Sequence, residues 1–245
     1  MTLQGKRALV TGASRGIGAA IAKKLAAEGA DVAITYEKSA DSAAEVVRAI
    51  QAHGRKGMAI QADSANVAAV QASVEKTVAE LGGLDILVNN AGILRLGELK
   101  DISLEDIDAT LNVNVRGPII ASKAALPHLT KGARIISIGS FFADRVPFGL
   151  LGIYSASKSA LVAFNKGLAR ELGPQDITVN LVQPGSINSD MNPVDGPFAG
   201  PLTGLTALGR YGDGEDIAAT VAFLASPVAQ YITGAAITVD GGANA

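Results

Sequence analysis

Tyr154 and Lys158 stand four residues apart in the segment 152–161, which reads GIYSASKSAL. If this segment is helical, both side chains lie on one face, and the Lys ammonium can approach the Tyr phenol. A phenol ordinarily ionises near a pKa of about 10, and a nearby cation lowers that value. The pair therefore predicts a Tyr that exchanges a proton with a substrate oxygen. Because such pairs are more often surface contacts, the interpretation depends on the motifs around it.

The composition is that of an ordinary folded protein. The chain has 245 residues, 48% hydrophobic and 18% charged, with 28 Gly, which suits one α/β domain. A formal net charge of -2 provides no basic field for nucleic acid. The lack of Cys excludes disulfides, thiolate catalysis and Cys-ligated zinc. His53 and His128 stand apart without metal-ligand spacing, so we expect no metal site.

Targeting and membrane segments are not expected. The first apolar strand pattern begins at Arg7, leaving no room for a signal peptide. No apolar run approaches the roughly 20 residues that a membrane-spanning helix needs. The sequence therefore predicts a cytoplasmic protein.

Short apolar runs alternate with helical patterns along the whole chain. This alternation predicts a Rossmann-type, doubly wound fold: a seven-stranded parallel sheet with helices on both faces, in a single domain over 1–245. The expected strands are Arg7–Val10, Asp31–Thr35, Gly57–Gln61, Ile86–Asn89, Ala133–Ser137, Thr178–Val182 and Ala236–Val239. The expected helices are Ile17–Glu28, Ser42–His53, Ala68–Leu81, Ser103–Val115 with a continuation past Pro118 to Leu129, Tyr154–Leu172 and Gly214–Leu224.

Residues 184–212 differ from the rest of the chain. They contain four Pro and six Gly, a composition that disfavours regular structure. Because long loops inside compact domains are usually functional or disordered, we interpret this segment as a substrate-binding lid with a short helix.

A glycine-rich turn, Thr11–Gly18, follows the first strand and opens the first helix. Glycines at this position let the backbone approach a pyrophosphate, which binds at the helix N-terminus. A merely tight turn is the plainer reading, but the strand–turn–helix context favours a dinucleotide site.

The end of the second strand bears on the choice of nicotinamide cofactor. An acidic residue there would bond a free ribose 2′-hydroxyl, whereas this chain has Tyr36 at that place. Arg15, Lys38 and Ser39 offer charge and donors for a 2′-phosphate, while Glu37 argues mildly against one. We therefore expect NADP(H) rather than NAD(H).

Two further strand ends carry polar residues. Asp63, followed by Ser64, could accept from an adenine amino group or serve as a helix N-cap. Asn89, Asn90, Ala91 and Gly92 permit close approach to a ribose, or form a plain turn.

In this order the motifs resemble the short-chain dehydrogenase/reductase family over essentially the whole chain. The resemblance rests on the glycine-rich turn, the Asn-Asn-Ala-Gly segment, the set Ser140, Tyr154 and Lys158, Pro184-Gly185 and the ending Val239-Asp240-Gly241-Gly242. Each motif alone is weak, but the ordered set is specific.

The resemblance implies a catalytic set of Asn114, Ser140, Tyr154 and Lys158. In it, Tyr154 would be the general acid in ketone reduction and the general base in alcohol oxidation. Lys158 would lower the pKa of Tyr154 and hold the nicotinamide ribose. Ser140 would stabilise charge on the substrate oxygen, and Asn114 would hold a water linking Lys158 to solvent. From the sequence alone, Asn114 is more simply a helix-interior Asn bonded locally.

The resemblance also implies the cofactor-binding residues. Pro184, Gly185, Ile187 and Ser189 would clamp the carboxamide, with Ser189 where Thr is usual. The remaining expected residues are Gly12, Ser14, Arg15, Gly16, Ile17, Gly18, Tyr36, Lys38, Ser39, Asp63, Ser64, Asn90, Ala91, Gly92, Tyr154 and Lys158. The fourteen-residue step from Ser140 to Tyr154 is slightly longer than expected, which leaves the shape of that loop open.

The loop 141–151 is unusually apolar. With Met191 and Phe198 it would line a hydrophobic substrate pocket or, equally, a subunit interface. The leading interpretation is an NADPH-dependent ketoreductase acting on an apolar carbonyl compound. Family resemblance implies a homotetramer.

Two alternatives stay open. Reduction of 3-oxoacyl groups on acyl carrier protein would need a basic patch, to which Arg95, Lys100 and Arg116 could contribute. The stretches Asp144-Arg145, Asn192-Pro193 and Gly196-Pro197 also resemble a bacterial subgroup associated with binding of a dinucleotide signal.

Overall fold

The computed structural model describes residues 2–245. Seven strands form one parallel sheet in the order β3-β2-β1-β4-β5-β6-β7. The strands are β1 Arg7–Val10, β2 Asp31–Tyr36, β3 Gly57–Gln61, β4 Ile86–Asn89, β5 Arg134–Ile138, β6 Thr178–Pro184 and β7 Ala236–Val239. The helices are α1 Gly16–Ala27, α2 Ala40–Ala52, α3 Val67–Leu81, α4 Leu104–Leu111, α5 Gly117–Ala125, α6 Gly152–Leu172, α7 Ala199–Leu205 and α8 Gly214–Ala225. The predicted doubly wound fold is confirmed.

Alternation along the strands divides the apolar residues between two cores. Val10 on β1 packs with α1, α2 and α8 on one face of the sheet. Leu9, its neighbour, packs with α3, α5 and α6 on the other face. Successive strand residues point to opposite faces, so both faces of a strand must be apolar when helices cover both sides.

The strand order reverses between β1 and β4. The first half of the chain extends outward from β1 to β3, and β4 returns to pair with the other side of β1. In open parallel sheets, ligands bind at the carboxyl ends of the strands beside such a switch point. The topology therefore directs the loops after β1, β4 and β5 toward one cleft.

The stretch predicted as one helix with a continuation, from Ser103 to Leu129, is divided in the structure. After α4, residues Asn112–Arg116 form a π-helical turn, α5 follows, and Leu126–His128 form a 3₁₀ turn. Gly117 donates to Asn112 O, five residues back. Pro118 has no N–H to give to the carbonyl four residues before it, so the wider turn accommodates this missing bond.

The other differences are small. β5 starts and ends one residue later than predicted, and β6 extends to Pro184. The short helix expected within 184–212 is α7. α6 begins at Gly152, two residues before Tyr154, and this places the Tyr–Lys pair in its first two turns.

Candidate active site

Tyr154 and Lys158 lie together on one face of α6. The Lys158 Nζ is 5.9 Å from the centre of the Tyr154 ring. It donates to the carbonyl of Ile138, the last residue of β5, at 3.0 Å. Lys158 is buried and Tyr154 half-buried. The helix thus brings the predicted pair to the carboxyl end of the central strands.

Burial controls the protonation of both side chains. It raises the pKa of Tyr154 above its ordinary value, and a side-chain hydrogen bond with Ser140 acts in the opposite direction. Burial lowers the pKa of Lys158 to about 8. The shift of Tyr154 is therefore upward, opposite to the lowering expected from Lys158, which is not among its causes. The Lys158 ammonium is directed at the Ile138 carbonyl, and its expected effect on Tyr154 stays a prediction.

Ser140 follows β5 with an extended backbone and begins the 3₁₀ turn Phe141–Ala143. Its Oγ accepts from the Phe142 N–H at 3.2 Å, and its side chain is buried beside Tyr154. A hydroxyl next to the phenol can donate to the same carbonyl oxygen that the phenol protonates.

Asn114 is fully buried in the π-helical turn. Its Oδ1 accepts from the Ile93 N–H at 2.8 Å, and its Nδ2 donates to Ile93 O at 2.9 Å and to Ser157 Oγ at 3.1 Å. Ser157 in turn donates to Tyr154 O at 2.6 Å. Both amide donors are therefore occupied, and one acceptor position on Oδ1 remains for a water.

Ser157 is a residue that sequence reasoning missed. It lies one residue before Lys158, on the buried side of α6. Nothing in the spacing marks it, because its role depends on Asn114, which lies 43 residues away in the chain.

Gly92 lets the loop after β4 lie close to Lys158 and Asn114. A Cβ added at Gly92 would lie 3.3 Å from Lys158 Nζ and 3.5 Å from Asn114 Oδ1. Asn90, two residues earlier, donates through Nδ2 to Thr11 O at 2.9 Å and to Gly12 O at 3.0 Å. The Asn-Asn-Ala-Gly segment therefore connects the Tyr–Lys pair to the glycine-rich turn.

The glycine-rich turn has no space for side chains at two positions. A Cβ on Gly12, where φ is +62°, would lie 2.8 Å from Ala91 Cα. A Cβ on Gly18 would lie 2.4 Å from Asn90 Nδ2. The backbones of the first and fourth strand ends thus lie in direct contact, which is the cradle that a pyrophosphate site requires.

The start of α1 is open to a ligand. Within residues 2–245, no side chain caps its first N–H groups, and its first turn contains no acidic residue. A cleft of about 290 Å³ lies beside it, lined by Ser14, Arg15, Gly16 and Asn188 near the turn and by the carboxylates Glu45, Asp213 and Glu215 on the side of α2 and α8. Free N–H groups and the helix dipole both favour an anion at this end, so these residues fit the phosphates of a dinucleotide.

The tip of β2 is polar and exposed beyond Tyr36. Tyr36 is half-buried and packs on the core, and Lys38 forms an ion pair with Glu37 at 3.0 Å. Ser39 stands at the start of α2. Arg15 pairs with Asp190 of the lid at 3.4 Å, and both side chains are two-thirds exposed. The Glu37 carboxylate therefore lies near the candidate phosphate-binding residues, but it forms an ion pair with Lys38.

Asp63 is not the helix N-cap that the sequence left open. Its Oδ1 accepts from the Ala65 N–H at 2.8 Å, a local turn. The cap of α3 is Asn66, which accepts from the Ala69 N–H at 3.0 Å. The exposed Asp63 carboxylate keeps acceptor capacity toward a ligand. Ser64 lies beside it and packs through its carbonyl against Gly117.

Pro184 ends β6, and the next residues turn over the glycine-rich turn. A Cβ on Gly185 would lie 2.5 Å from Asp240 Cα. Ile187 is buried and pairs with Gly212. Ser189 Cβ would be 3.7 Å from a Cβ on Gly16. The first residues of the lid, 184–189, therefore lie beside the N-terminus of α1. The family resemblance implied that this segment clamps the nicotinamide carboxamide.

The apolar loop before α6 is only partly a pocket wall. Phe142 stacks edge-on against Tyr154, with ring centres 6.4 Å apart at 80°. Phe141 points inward, where it packs with Leu202, Tyr211 and Ala243. The expectation that all of 141–151 lines the pocket is therefore wrong at Phe141. The exposed apolar side chains on this loop are Val146, Phe148 and Leu150, and those on the lid are Met191, Val194, Phe198 and Leu208.

Residues 2–245 contain neither a metal-binding cluster nor a membrane-spanning helix. No three His, Cys, Asp or Glu side chains are grouped so that they could hold a metal ion. None of the helices in this range combines the length and apolarity required to cross a membrane.

Comparison with known proteins identifies the family. A family model described as enoyl-(acyl carrier protein) reductase matches residues 12–244. A short-chain dehydrogenase from Burkholderia cenocepacia J2315, solved in complex with NADP, is 59% identical, with a TM-score of 0.99 and full coverage of both chains. The chain belongs to the short-chain dehydrogenase/reductase family and is an oxidoreductase of that family.

Two curated relatives bear different names. The cyclic-di-GMP-binding biofilm dispersal mediator protein of Escherichia coli K12 is 44% identical over 237 residues, 97% of this chain and 96% of that protein. Versicolorin reductase 1 of Aspergillus parasiticus is 40% identical over 254 residues, 98% of this chain and 97% of that protein.

Proposed function

We propose that the protein is an NADPH-dependent reductase that converts a ketone or aldehyde to an alcohol, reversibly. One observation carries the proposal: Asn114, Ser140, Tyr154 and Lys158 converge beside a glycine-rich turn with no space for side chains. A proton donor, an oxyanion donor and a cation thus surround one point in the cleft.

Each catalytic side chain has a separate task. Tyr154 gives its proton to the carbonyl oxygen as that oxygen gains charge, and the raised pKa keeps the phenol protonated before reaction. Ser140 donates a hydrogen bond to the same oxygen. Lys158 holds the nicotinamide ribose, and Asn114 anchors the water that returns a proton. The chemistry that a bound NADPH supplies is hydride transfer to the carbonyl carbon.

The choice of NADP(H) has two supports. The described residues fit a dinucleotide at the start of α1, where Arg15, Lys38 and Ser39 can meet a 2′-phosphate. This requires Arg15 and Lys38 to exchange their exposed ion pairs with Asp190 and Glu37 for the phosphate. The Burkholderia dehydrogenase, at 59% identity, was solved with NADP. We assign cofactor contacts to Gly12, Ser14, Arg15, Gly16, Ile17, Gly18, Tyr36, Lys38, Ser39, Asp63, Ser64, Asn90, Ala91, Gly92, Tyr154, Lys158, Pro184, Gly185, Ile187 and Ser189.

The substrate is proposed to be bulky and apolar. Phe142 contacts the Tyr154 ring, and Phe148, Met191 and Phe198 are between 39% and 51% exposed on the loop and lid. Apolar side chains exposed on the loop and the lid that flank the site favour an apolar ligand. The versicolorin reductase name of a relative at 40% identity agrees with carbonyl reduction.

Reduction of 3-oxoacyl groups on a carrier protein has less support. Two of the three cations expected to attract an acidic carrier protein form ion pairs within this chain. Arg95 pairs with Asp106 and Lys100 with Glu98, each at 3.0 Å. Paired cations attract a distant acidic partner less strongly than free ones.

Signal binding without turnover is the second candidate, and the name of the E. coli relative favours it. The convergence of the Tyr154 phenol, the Ser140 hydroxyl and the buried Lys158 ammonium argues against it, because ligand binding alone does not require these three groups at one point.

The deciding experiment follows NADPH oxidation with straight-chain, bicyclic and polycyclic aromatic ketones. We expect turnover, fastest with the bulky apolar ketones and faster with NADPH than with NADH. If no ketone is reduced while cyclic di-GMP binds tightly, the protein is a sensor and the proposal fails. A clear preference for NADH would contradict the cofactor assignment.

We also propose a homotetramer in the cytoplasm. Phe223 on α8 is 46% exposed, and Val228 and Tyr231, in the segment leading to edge strand β7, are 75% and 99% exposed. Edge strands with apolar neighbours are suited to association. Light scattering after gel filtration tests the tetramer, and a monomer would contradict it. The location stays a prediction.

A further inference from the structure

The segment that carries Ser140 depends on side chains from outside it. This serine turn, defined as residues 140–145, has a single short 3₁₀ turn of its own. Its internal hydrogen bonds run from the Ala143 N–H to Ser140 O at 2.9 Å, from the Asp144 and Arg145 N–H groups to Phe141 O at 3.2 and 3.3 Å, and from the Phe142 N–H to Ser140 Oγ at 3.2 Å. These bonds shape the turn, but they do not attach it to the sheet. The position of the Ser140 hydroxyl therefore depends on the groups that bind the turn.

Gln183 binds both ends of the serine turn. This residue of β6 is 1% exposed. Its Nε2 donates to Ser140 O at 3.3 Å and to the Asp144 carboxylate at 3.0 Å. Its stem packs against the residue before Ser140, since a Cβ on Gly139 would lie 3.2 Å from Gln183 Cγ. A planar amide with two N–H donors suits this bridge.

The remaining contacts hold other residues of the turn. Ser159 Oγ donates to Ala143 O at 2.7 Å. Asn244, near the C-terminus, donates to Phe141 O at 3.1 Å. Tyr154 bonds the side chain of Ser140, whereas Gln183 bonds the Ser140 carbonyl, which also accepts from the Ala143 N–H at 2.9 Å.

We propose that Gln183 is a positioning residue that fixes Ser140 relative to Tyr154 by bridging Ser140 O and Asp144. The proposal rests on the proposed carbonyl reduction, in which Ser140 bonds the substrate oxygen. Gln183 acts through Ser140 and does not touch the substrate.

Two substitutions of Gln183 should disrupt the bridge in different ways. Gln183→Met keeps the length of the side chain and removes both donors. Gln183→Glu keeps the shape but places a carboxylate against Ser140 O and the Asp144 carboxylate, three acceptors without a donor. Protonation of the new carboxyl restores one donor, so the Glu variant should recover as pH falls.

A matched control lies on the same strand. Asn180 is also 1% exposed, donates to Ile232 O at 2.7 Å and accepts from the Ala235 N–H at 3.1 Å. Asn180→Asp and Asn180→Leu also remove a buried amide donor from β6, but they affect the segment before β7. They measure the general cost of disturbing this strand.

The experiment measures kcat with NADPH and an apolar ketone, NADPH affinity and amide hydrogen exchange on the full chain. We expect Gln183→Met to lower kcat by about tenfold or more, in line with the loss of buried hydrogen bonds. NADPH affinity should remain unchanged, and exchange should accelerate over 140–145. The kcat of Gln183→Glu, relative to the native protein, should rise toward acid pH. The Asn180 variants should keep kcat and the protection of the serine turn.

Other outcomes overturn the proposal. These are unchanged exchange over 140–145 in Gln183→Met, an equal loss of kcat in the Asn180 variants, or a Gln183→Glu profile parallel to the native one. If the native protein reduces no ketone, the proposed function fails. Hydrogen exchange then decides separately whether Gln183 holds the serine turn.

Discussion

The two sides of the cleft are held by different means. On the cofactor side, backbone lies directly on backbone: a Cβ on Gly12 or Gly18 would lie within 2.8 Å of the loop after β4. On the substrate side, the serine turn and the lid are held by side-chain hydrogen bonds and by the small cluster around Phe141. The cofactor side has no space for an added side-chain atom, whereas on the substrate side one side chain can be replaced by another.

This difference separates the residues that determine NADPH affinity from those that determine which ketone reacts. Changes on the cofactor side should reduce NADPH binding and stability together, because the cradle belongs to the sheet itself. Changes on the substrate side should alter the reaction while the fold persists. Three substitutions and one pH titration test this contrast, and we give them in decreasing order of expected effect.

Gly18→Ala should have the largest effect. Its Cβ would lie 2.4 Å from Asn90 Nδ2 and 2.8 Å from both Ala13 Cα and Gly12 O, so the Asn90 side chain must leave its place and the backbone of the turn must shift away from α1. We expect the free energy of unfolding to fall by about 1–3 kcal/mol, as in overpacked cores, and NADPH affinity to fall by roughly 100-fold. Calorimetry and fluorescence titration measure both.

Gly167→Ala is the control for that substitution. Gly167 lies in α6 and is exposed, with open space around an added Cβ. It should gain about 0.5–1 kcal/mol of stability. Equal behaviour of the two variants would show that the close approach at Gly18 is unimportant.

The pH dependence of kcat/KM for NADPH should report on Lys158. Its pKa of about 8 means that the ammonium is present below that pH and lost above it. Since the charged form holds the ribose, kcat/KM for NADPH should fall by about tenfold per pH unit above the pKa. A profile that stays flat well beyond pH 8 contradicts this assignment.

Arg15→Ala should weaken NADPH more than NADH. Losing a charge-assisted bond to a 2′-phosphate should cost about tenfold or more in affinity. Lys24→Ala is the control, because Lys24 pairs with Glu28 on α1 at 3.0 Å. The ratio of the two dissociation constants is the readout, and an unchanged ratio for Arg15→Ala rules out a phosphate contact.

Phe142→Ala should have the smallest effect of the four. Loss of the edge-on contact with Tyr154 should reduce kcat/KM for an aromatic ketone by up to about tenfold, with NADPH affinity unchanged. Phe148→Ala, on the same loop without that ring contact, should lose less. Equal losses would show that the loop acts only as a general apolar surface.

The fold, and the pairing of Tyr154 with Lys158 on one helix face, could be predicted from the sequence because those features are local. Strand runs, glycine positions and the Tyr–Lys spacing each require only a few neighbouring residues. The π-helical turn at Asn114 was missed because it results from the absent N–H of Pro118 within an otherwise helical pattern. Ser157 and Gln183 were missed because their partners are 43 residues distant in the chain.

The balance of pKa effects also required the folded structure. The sequence shows that a cation accompanies Tyr154, but burial is visible only in three dimensions. That burial raises the pKa of Tyr154 and lowers that of Lys158. Likewise, Phe141 and Phe142 are adjacent and chemically identical, yet one packs inward and the other contacts Tyr154.

The most direct test of the central claim compares Tyr154→Phe with the native protein, using NADPH and a bulky apolar ketone. Phe keeps the ring and removes only the proton donor, so kcat should fall by about 10² to 10⁴-fold, while the dissociation constant for NADPH stays within about twofold. Near-native turnover by Tyr154→Phe would contradict the claim that this phenol delivers the proton.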